Sequence, residues 1–183
     1  MKTRLVTLIA LMLLVLSPSV MAKAPSRLAS ATDLGYSLSL GVLGKARGAK
    51  TDSVLTAAQN DAKLLGVTLP KLPAMAGDKT KDTVTAMHYL LKELGPVAKG
   101  LKSQKEILLM EVGIKSNLMR LLYTPGDDHG LAKILGDRCK RIGVAAGTTS
   151  DLSKAVAKKA PDKEITGLLD KLEKEVRAYA QSH

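Results

Sequence analysis

The sequence contains no phenylalanine and no tryptophan, and only four of its 183 residues are tyrosine. A hydrophobic core built from this chain must therefore consist of aliphatic and methionine side chains. The scarcity of aromatic rings also disfavours binding to single-stranded nucleic acid, because the bases in such complexes stack on aromatic side chains. We therefore expect no nucleic-acid partner, although the chain is strongly basic.

Cysteine occurs once, at Cys139, so no internal disulfide can form. The fold must then be stabilised by packing alone, even in an oxidising compartment. Cys139 lies on the apolar face of a predicted helix, which favours a small core residue. The alternative is a reactive thiol, because cations such as Arg138, Lys140 and Arg141 can lower the pKa of a neighbouring cysteine.

The motifs of common enzyme sites are also absent. The sequence has no P-loop, no G-x-S-x-G elbow, no H-E-x-x-H helix and no paired-carboxylate motif. Only three histidines are available as general bases, and His183 is the last residue. Nucleophilic catalysis needs a base beside a nucleophile and a third group that orients the base. We therefore expect a protein that is not an enzyme and has no cofactor.

The longest apolar run lies at the N terminus, where Lys2 and Arg4 precede an apolar block over residues 5–16. A basic start, a short apolar block and small residues near position 22 are typical of a cleaved secretory signal peptide, here residues 1–22. A membrane-spanning helix needs about 20 apolar residues, so we expect none in the mature chain. Residues 23–183 are expected to form one domain that is periplasmic or secreted.

The segment 103–123 predicts the central helix, because its apolar residues recur at steps of three and four in two neighbouring rows. Such a wide apolar face predicts a helix that is covered on two sides. The same periodicity, interrupted by glycine and proline, indicates further helices. The sequence therefore predicts an all-α, single-domain bundle of about six helices.

Two of these helices carry specific expectations. The first is expected to start after an N-cap at Thr32 or Asp33, and its helical spacing fits better than the alternating pattern of a strand. The third is expected to start at Asp78 or Thr80. Its expected buried stripe consists of Val84, Met87, Leu91 and Leu94.

The two halves of the chain resemble each other. Leu34-Gly35 matches Val112-Gly113 at an offset of 78, and Ala62-Lys63 matches Cys139-Lys140 at an offset of 77. This pattern indicates a duplication of a three-helix unit, giving halves at 31–100 and 103–180. Chance similarity between amphipathic helices is the alternative. If the duplication is real, the interface between the units is the default place for a ligand.

Three glycines, Gly41, Gly44 and Gly48, lie at steps of three and four along the first predicted helix. Each glycine in a helix costs about 1 kcal/mol relative to alanine, so some group is expected to approach this side closely. The approaching group is either a neighbouring helix or a flat ligand in a groove. The spacing alone does not separate the two interpretations.

Positive charge is in excess, with a formal net charge of +11, or +9 without Lys2 and Arg4 of the predicted signal peptide. This balance favours an anionic envelope component or an acidic protein as partner. Cations at helix C termini are also explained by the helix dipole. The candidate anion-binding residues are Arg138, Lys140, Arg141, Lys154, Lys158 and Lys159.

A metal site is a further possibility in the turn that contains Asp127, Asp128 and His129. Carboxylates and imidazole are suitable ligands for a divalent cation. The simpler interpretation is that one of the two aspartates caps the next helix. Consecutive loop residues rarely all reach one ion, so a metal would need ligands from elsewhere.

Two functions from different classes remain. The first is a non-enzymatic binding or accessory protein whose partner is anionic or presents a protein helix face. The second is a carrier of non-covalent haem or metal that uses His88 with Met110 or Met119, since His and Met from facing helices can ligate iron. A partly buried, hydrogen-bonded His88 is the simpler interpretation of that residue.

Overall fold

A computed structural model describes residues 25–183, so the predicted signal peptide lies outside the described residues. The described chain is all-α, as the periodicity predicts, and residues 25–183 contain no β-strand. Its helices are α1 (Arg27–Ala46), α2 (Asp52–Leu65), α3 (Lys79–His88), α4 (Gly95–Gly100), α5 (Gln104–Leu122), α6 (Leu131–Ile142), α7 (Ala146–Ala157) and α8 (Asp162–Ser182). A π-helical turn, Tyr89–Glu93, continues α3. Within residues 25–183, no helix is both long and apolar enough to span a bilayer.

The predicted central helix is confirmed as α5. Ser103 is its N-cap and accepts a hydrogen bond from the backbone N–H of Glu106 at 3.2 Å. The helix packs against α1, α6 and α8. Its fully buried side chains include Leu109, Val112 and Met119. Burying one such side chain stabilises the fold by roughly 1.5 to 3 kcal/mol, so α5 organises the aliphatic core.

The first helix is confirmed as a helix, but its start differs from the prediction. Its N-cap is Ser26, whose hydroxyl oxygen accepts from the N–H of Ala29 at 3.1 Å and donates to the carbonyl of Ala180 at 2.7 Å. Thr32 and Asp33 lie inside the helix. The cap forms at Ser26 because the end of α8 supplies a partner there, which the sequence near Thr32 cannot reveal.

α1 and α5 cross in very close contact at two glycines. A Cβ atom on Gly35 would overlap the carbonyl oxygen of Met110, and one on Gly113 would lie 2.6 Å from the backbone nitrogen of Tyr36. Arg27 pairs with Glu106 near the start of both helices, so the two helices run in the same direction. The residues in contact are therefore about 78 positions apart, which is the offset of the sequence similarity. The duplication itself stays a prediction.

The face of α3 that packs on the bundle differs from the prediction. Val84 and Leu91, which were expected to be buried, are 63% and 53% exposed, and Met87 is partly buried. The buried hydrophobic residues of this region are Ala86, Tyr89, Leu90 and Leu94. When a helix carries apolar residues on two faces, the sequence does not indicate which of the two faces is buried. The π-helical turn also shifts the residue positions that follow α3 around the helix axis.

Candidate functional site

A groove of about 720 Å³ lies between α2 and the chain that follows it. We call residues 67–77 the strap. The strap forms one wall of the groove, α2 forms the other, and Leu38 of α1 contributes to the lining. The apolar side chains of the lining include Leu38, Leu55, Ala62, Val67, Leu69 and Leu72. The volume falls within the range of roughly 300 to 1,000 Å³ that is usual for small-molecule sites.

The sequence directs the strap away from α2. Gly66 ends α2 in the left-handed conformation, with φ of 73°, which glycine adopts without strain. Pro70 and Pro73 then prevent the chain from continuing as a helix. The chain therefore leaves α2 in an extended path instead of packing back as another helix.

Two anchors hold the strap in place. The hydroxyl of Tyr89 donates a hydrogen bond to the carbonyl oxygen of Pro70 at 3.0 Å. The buried carboxylate of Asp82 accepts from the backbone N–H groups of Ala76 and Gly77 at 2.7 and 2.9 Å. Both anchors come from α3 and its π-helical continuation, so this region fixes the width of the groove.

The lining has a simple chemistry. Its hydrophobic side chains are aliphatic, and no aromatic ring faces the groove. Among the described residues, the only charged ones in the lining are Lys63 and Lys71, and both are exposed to solvent. Aliphatic walls suit a hydrocarbon chain, and ammonium groups at the opening suit an acidic headgroup.

The predicted anion-binding residues do not form one patch. The short connection from Ile142 to Ala146 and the contact of Lys159, just after α7, with Gly126, just before α6, show that the two helices run in opposite directions. Lys140 and Arg141 lie in the last turn of α6. The remaining lysines, Lys154, Lys158 and Lys159, belong to the end of α7. The structure therefore separates these cations into two groups at opposite ends of the α6–α7 pair.

Two of these cations already have acidic partners. Arg138 donates to the carboxylate of Glu111 at 2.6 Å, and Lys154 lies 3.5 Å from Asp151. These contacts, together with the positions at helix C termini, explain much of the charge pattern without a ligand.

The predicted haem ligands are not brought together. The side chain of His88 is largely exposed and lies 3.8 Å from Glu93, so it is less buried than the sequence predicted. Met110 and Met119 are buried in the core from α5, whereas α3 packs against α1. A haem between His88 and either methionine would require the core to open.

The turn before α6 uses its acidic residues for capping. Asp128 accepts from the N–H groups of Gly130 and Ala132 at 3.0 and 2.8 Å, and Asp127 accepts from the N–H of His129 at 2.9 Å. The capping interpretation of Asp128 is therefore confirmed. No group of three or more His, Cys, Asp or Glu side chains in the described part of the chain is placed to hold a metal.

Cys139 and the glycines of α1 serve packing. Cys139 is fully buried, and burial raises the pKa of its thiol to about 12, which contradicts the reactive interpretation. Gly41 faces Leu55 and Gly44 faces Thr51, so both allow α2 and its N-cap to approach α1. Gly48 lies beyond α1 in a turn, with φ of 82°.

The groove was not predicted from the sequence. Gly66, Pro70 and Pro73 direct the strap out of α2, but the distance between the strap and α2 depends on Tyr89 and Asp82, which come later in the chain. Comparison with protein families, curated proteins and solved structures finds no match for this chain.

Proposed function

We propose that the protein is a non-enzymatic binding protein, periplasmic or secreted, that holds an anionic amphiphile in the groove between α2 and the strap. One observation carries this proposal: a groove with aliphatic walls has Lys63 and Lys71 as its only charged lining residues. The hydrocarbon chain would lie along the walls, and the acidic headgroup would lie near the two ammonium groups.

The energetics of such a complex are favourable. Each buried methylene contributes about 0.8 kcal/mol, so a dodecyl chain with most of its methylenes covered would gain roughly 6 to 9 kcal/mol before the cost of immobilisation. A charge-assisted contact with Lys63 or Lys71 would favour acidic over basic headgroups. The signal peptide predicted over residues 1–22 and the net positive charge support a role in which anionic partners are met outside the cytoplasm.

A titration with amphiphiles of one chain length tests the proposal. We expect dodecanoate to bind one molecule per chain, and dodecyltrimethylammonium to bind at least about tenfold more weakly, as monitored by calorimetry below micelle formation. Equal affinity for the anionic and cationic amphiphiles would contradict the proposal.

A pair of charge variants locates the site. Lys63→Glu with Lys71→Glu should weaken dodecanoate binding by at least about tenfold, because two cations are lost and two acids introduced. Lys140→Glu with Lys174→Glu makes the same change in net charge on α6 and α8 and should leave binding unchanged. Equal losses in both double variants would show that only the overall charge matters.

A protein helix face is a second candidate for the same groove. The predicted duplication would pair Gln59 of the groove with Gly136 of α6 at an offset of 77, and Gly136 faces Thr149 of α7, so a helix would occupy the equivalent place in the second half. Native mass spectrometry of protein purified from its own envelope distinguishes the two candidates. A partner of protein size that is lost in the Lys63→Glu, Lys71→Glu variant would favour the helix, and a bound mass of a few hundred daltons would favour the amphiphile.

A further inference from the structure

The region of α3 and its π-helical turn has a second apolar face that no other element of residues 25–183 covers. Val84 and Leu91 are 63% and 53% exposed, although they lie on the same segment as the buried Ala86 and Leu90. One face therefore belongs to the core and the other faces solvent. Val84 and Leu91 lie seven positions apart on one continuous segment, so this segment presents apolar side chains to solvent over about two turns.

The exposed face continues onto the neighbouring helices. Val84 and Met87 line a shallow depression of about 630 Å³ together with Leu122 of α5. The charged residues of its lining are Arg47 and Lys79, and no acidic residue takes part. The apolar surface is thus bordered by cations on this side.

Two of the three acidic residues near this face, Asp78 and Asp82, are already engaged, whereas Glu93 faces a histidine that carries a charge only when it is protonated. Asp82 is buried and binds the strap through its two backbone N–H contacts. Asp78 lies 3.7 Å from Lys81 at the start of α3, and Glu93 lies 3.8 Å from His88 at the end of the π-helical turn. The middle of the face therefore presents aliphatic side chains with an excess of positive charge around them.

We propose that this surface, formed by Val84, Met87 and Leu122 with Arg47 and Lys79 at its edge and with the exposed Leu91 further along the same segment, docks the protein on a membrane surface that contains anionic lipids. An amphipathic helix with lysines beside its apolar face is the usual form of an element that lies in the membrane interface. Each cation near an anionic bilayer contributes about 1 kcal/mol. The inference goes beyond the proposed function and does not depend on it.

A membrane is favoured over a protein partner by the composition of the face. The cores of protein interfaces are enriched in aromatic residues, whereas this face has none, since the ring of Tyr89 points into the bundle. Aliphatic side chains beside long flexible cations suit a fluid surface without fixed shape.

Vesicle sedimentation of the exported protein tests the inference. We expect binding to vesicles of phosphatidylcholine with about 30% phosphatidylglycerol and at least about tenfold weaker binding to phosphatidylcholine alone. The variant Val84→Asp with Leu91→Asp should lose at least about tenfold in affinity for the anionic vesicles, and its melting temperature should stay close to that of the natural protein because both side chains are exposed. The control is Leu64→Asp on α2, where the leucine is 56% exposed and lies outside the face.

Several outcomes would overturn the inference. These are equal binding to both kinds of vesicle, unchanged binding of the Val84→Asp, Leu91→Asp variant, and an equal loss in Leu64→Asp. A natural protein that sediments as a dimer, with a monomeric Val84→Asp, Leu91→Asp variant, would show instead that the face binds a second copy. Dodecanoate binding should persist in this variant, and vesicle binding should persist in Lys63→Glu with Lys71→Glu, so each proposal can fail without the other.

Discussion

Asp61 is a partly buried carboxylate on α2 whose charge is opposed by its surroundings. Desolvation raises its pKa from the usual value of 3.8 to about 6. The folded state therefore binds the Asp61 proton more tightly than the unfolded state does. As the pH rises from about 4 to about 6, this difference lowers the stability of the fold, and the loss persists at higher pH.

Replacing Asp61 should remove this cost. We expect Asp61→Asn to raise the free energy of unfolding at about pH 7.5 by roughly 1 kcal/mol, a figure smaller than the full pKa shift implies because the side chain is only partly buried and solvent screens its charge. Near pH 3.5 the two proteins should be almost equally stable, because Asp61 is then protonated in both states. Urea unfolding at the two pH values measures the difference. The control is Asp137→Asn, which removes the same charge from an exposed position on α6. An equal rise in the free energy of unfolding of this variant would contradict the role assigned to the burial of Asp61.

At the scale of elements, the crossing of α1 and α5 depends on glycines that sequence spacing did not single out. Gly35 and Gly113 lie where each helix meets the backbone of the other, whereas the three glycines spaced along α1 concern α2 or a turn. A glycine in a helix is costly by itself, so its use at a crossing indicates that the backbones must touch.

The variant Gly35→Ala should therefore destabilise the protein. Its Cβ atom would overlap the carbonyl of Met110, which is backbone and cannot rotate away, so we expect a loss of about 1 to 3 kcal/mol. Gly167→Ala on α8 is the matched control, because no heavy atom lies within 4 Å of the added methyl group. The free energy of unfolding of Gly167→Ala should rise by up to about 1 kcal/mol, because alanine has a higher helix propensity than glycine. Similar melting temperatures for the two variants would show that the backbones of α1 and α5 do not touch at Gly35.

At the scale of the whole molecule, residues from both halves form a single core, which is mainly aliphatic but, unlike the expectation from the sequence, also includes Tyr36, Tyr89 and Tyr123. Such a core favours cooperative unfolding, in which one half does not open without the other. Cys139 lies within this core and is fully buried, so its thiol can report on the opening of the structure.

We expect Cys139 to react with a thiol reagent only after unfolding. Burial raises its pKa to about 12, so in the folded protein at about pH 8 very little thiolate forms, and the side chain is inaccessible to the reagent. The labelling rate should rise with urea in parallel with the loss of helical circular dichroism, and the fully unfolded protein provides the reference rate. Rapid labelling of the folded protein would show that the region around α6 opens independently.

Much of the fold follows from local patterns. The central helix with its Ser103 cap, the Asp128 cap and the buried Cys139 all depend on residues a few positions apart in the chain. Periodicity and capping chemistry act over that range, so the sequence suffices to predict them. Where a helix had apolar residues on two faces, as α3 does, the same pattern led to the wrong buried face.

By itself, therefore, the sequence determined an all-α chain with an aliphatic core, no internal disulfide and an excess of positive charge. The tertiary structure alone decided that α1 is capped at Ser26, that α1 meets α5 at Gly35, and that the strap stands away from α2. It also decided that Lys63 and Lys71 share a groove while the cations of α6 and α7 do not share a patch. The physical reason is that each of these outcomes depends on distances between residues far apart in the chain, set by contacts such as the hydrogen bond from Tyr89 to the strap.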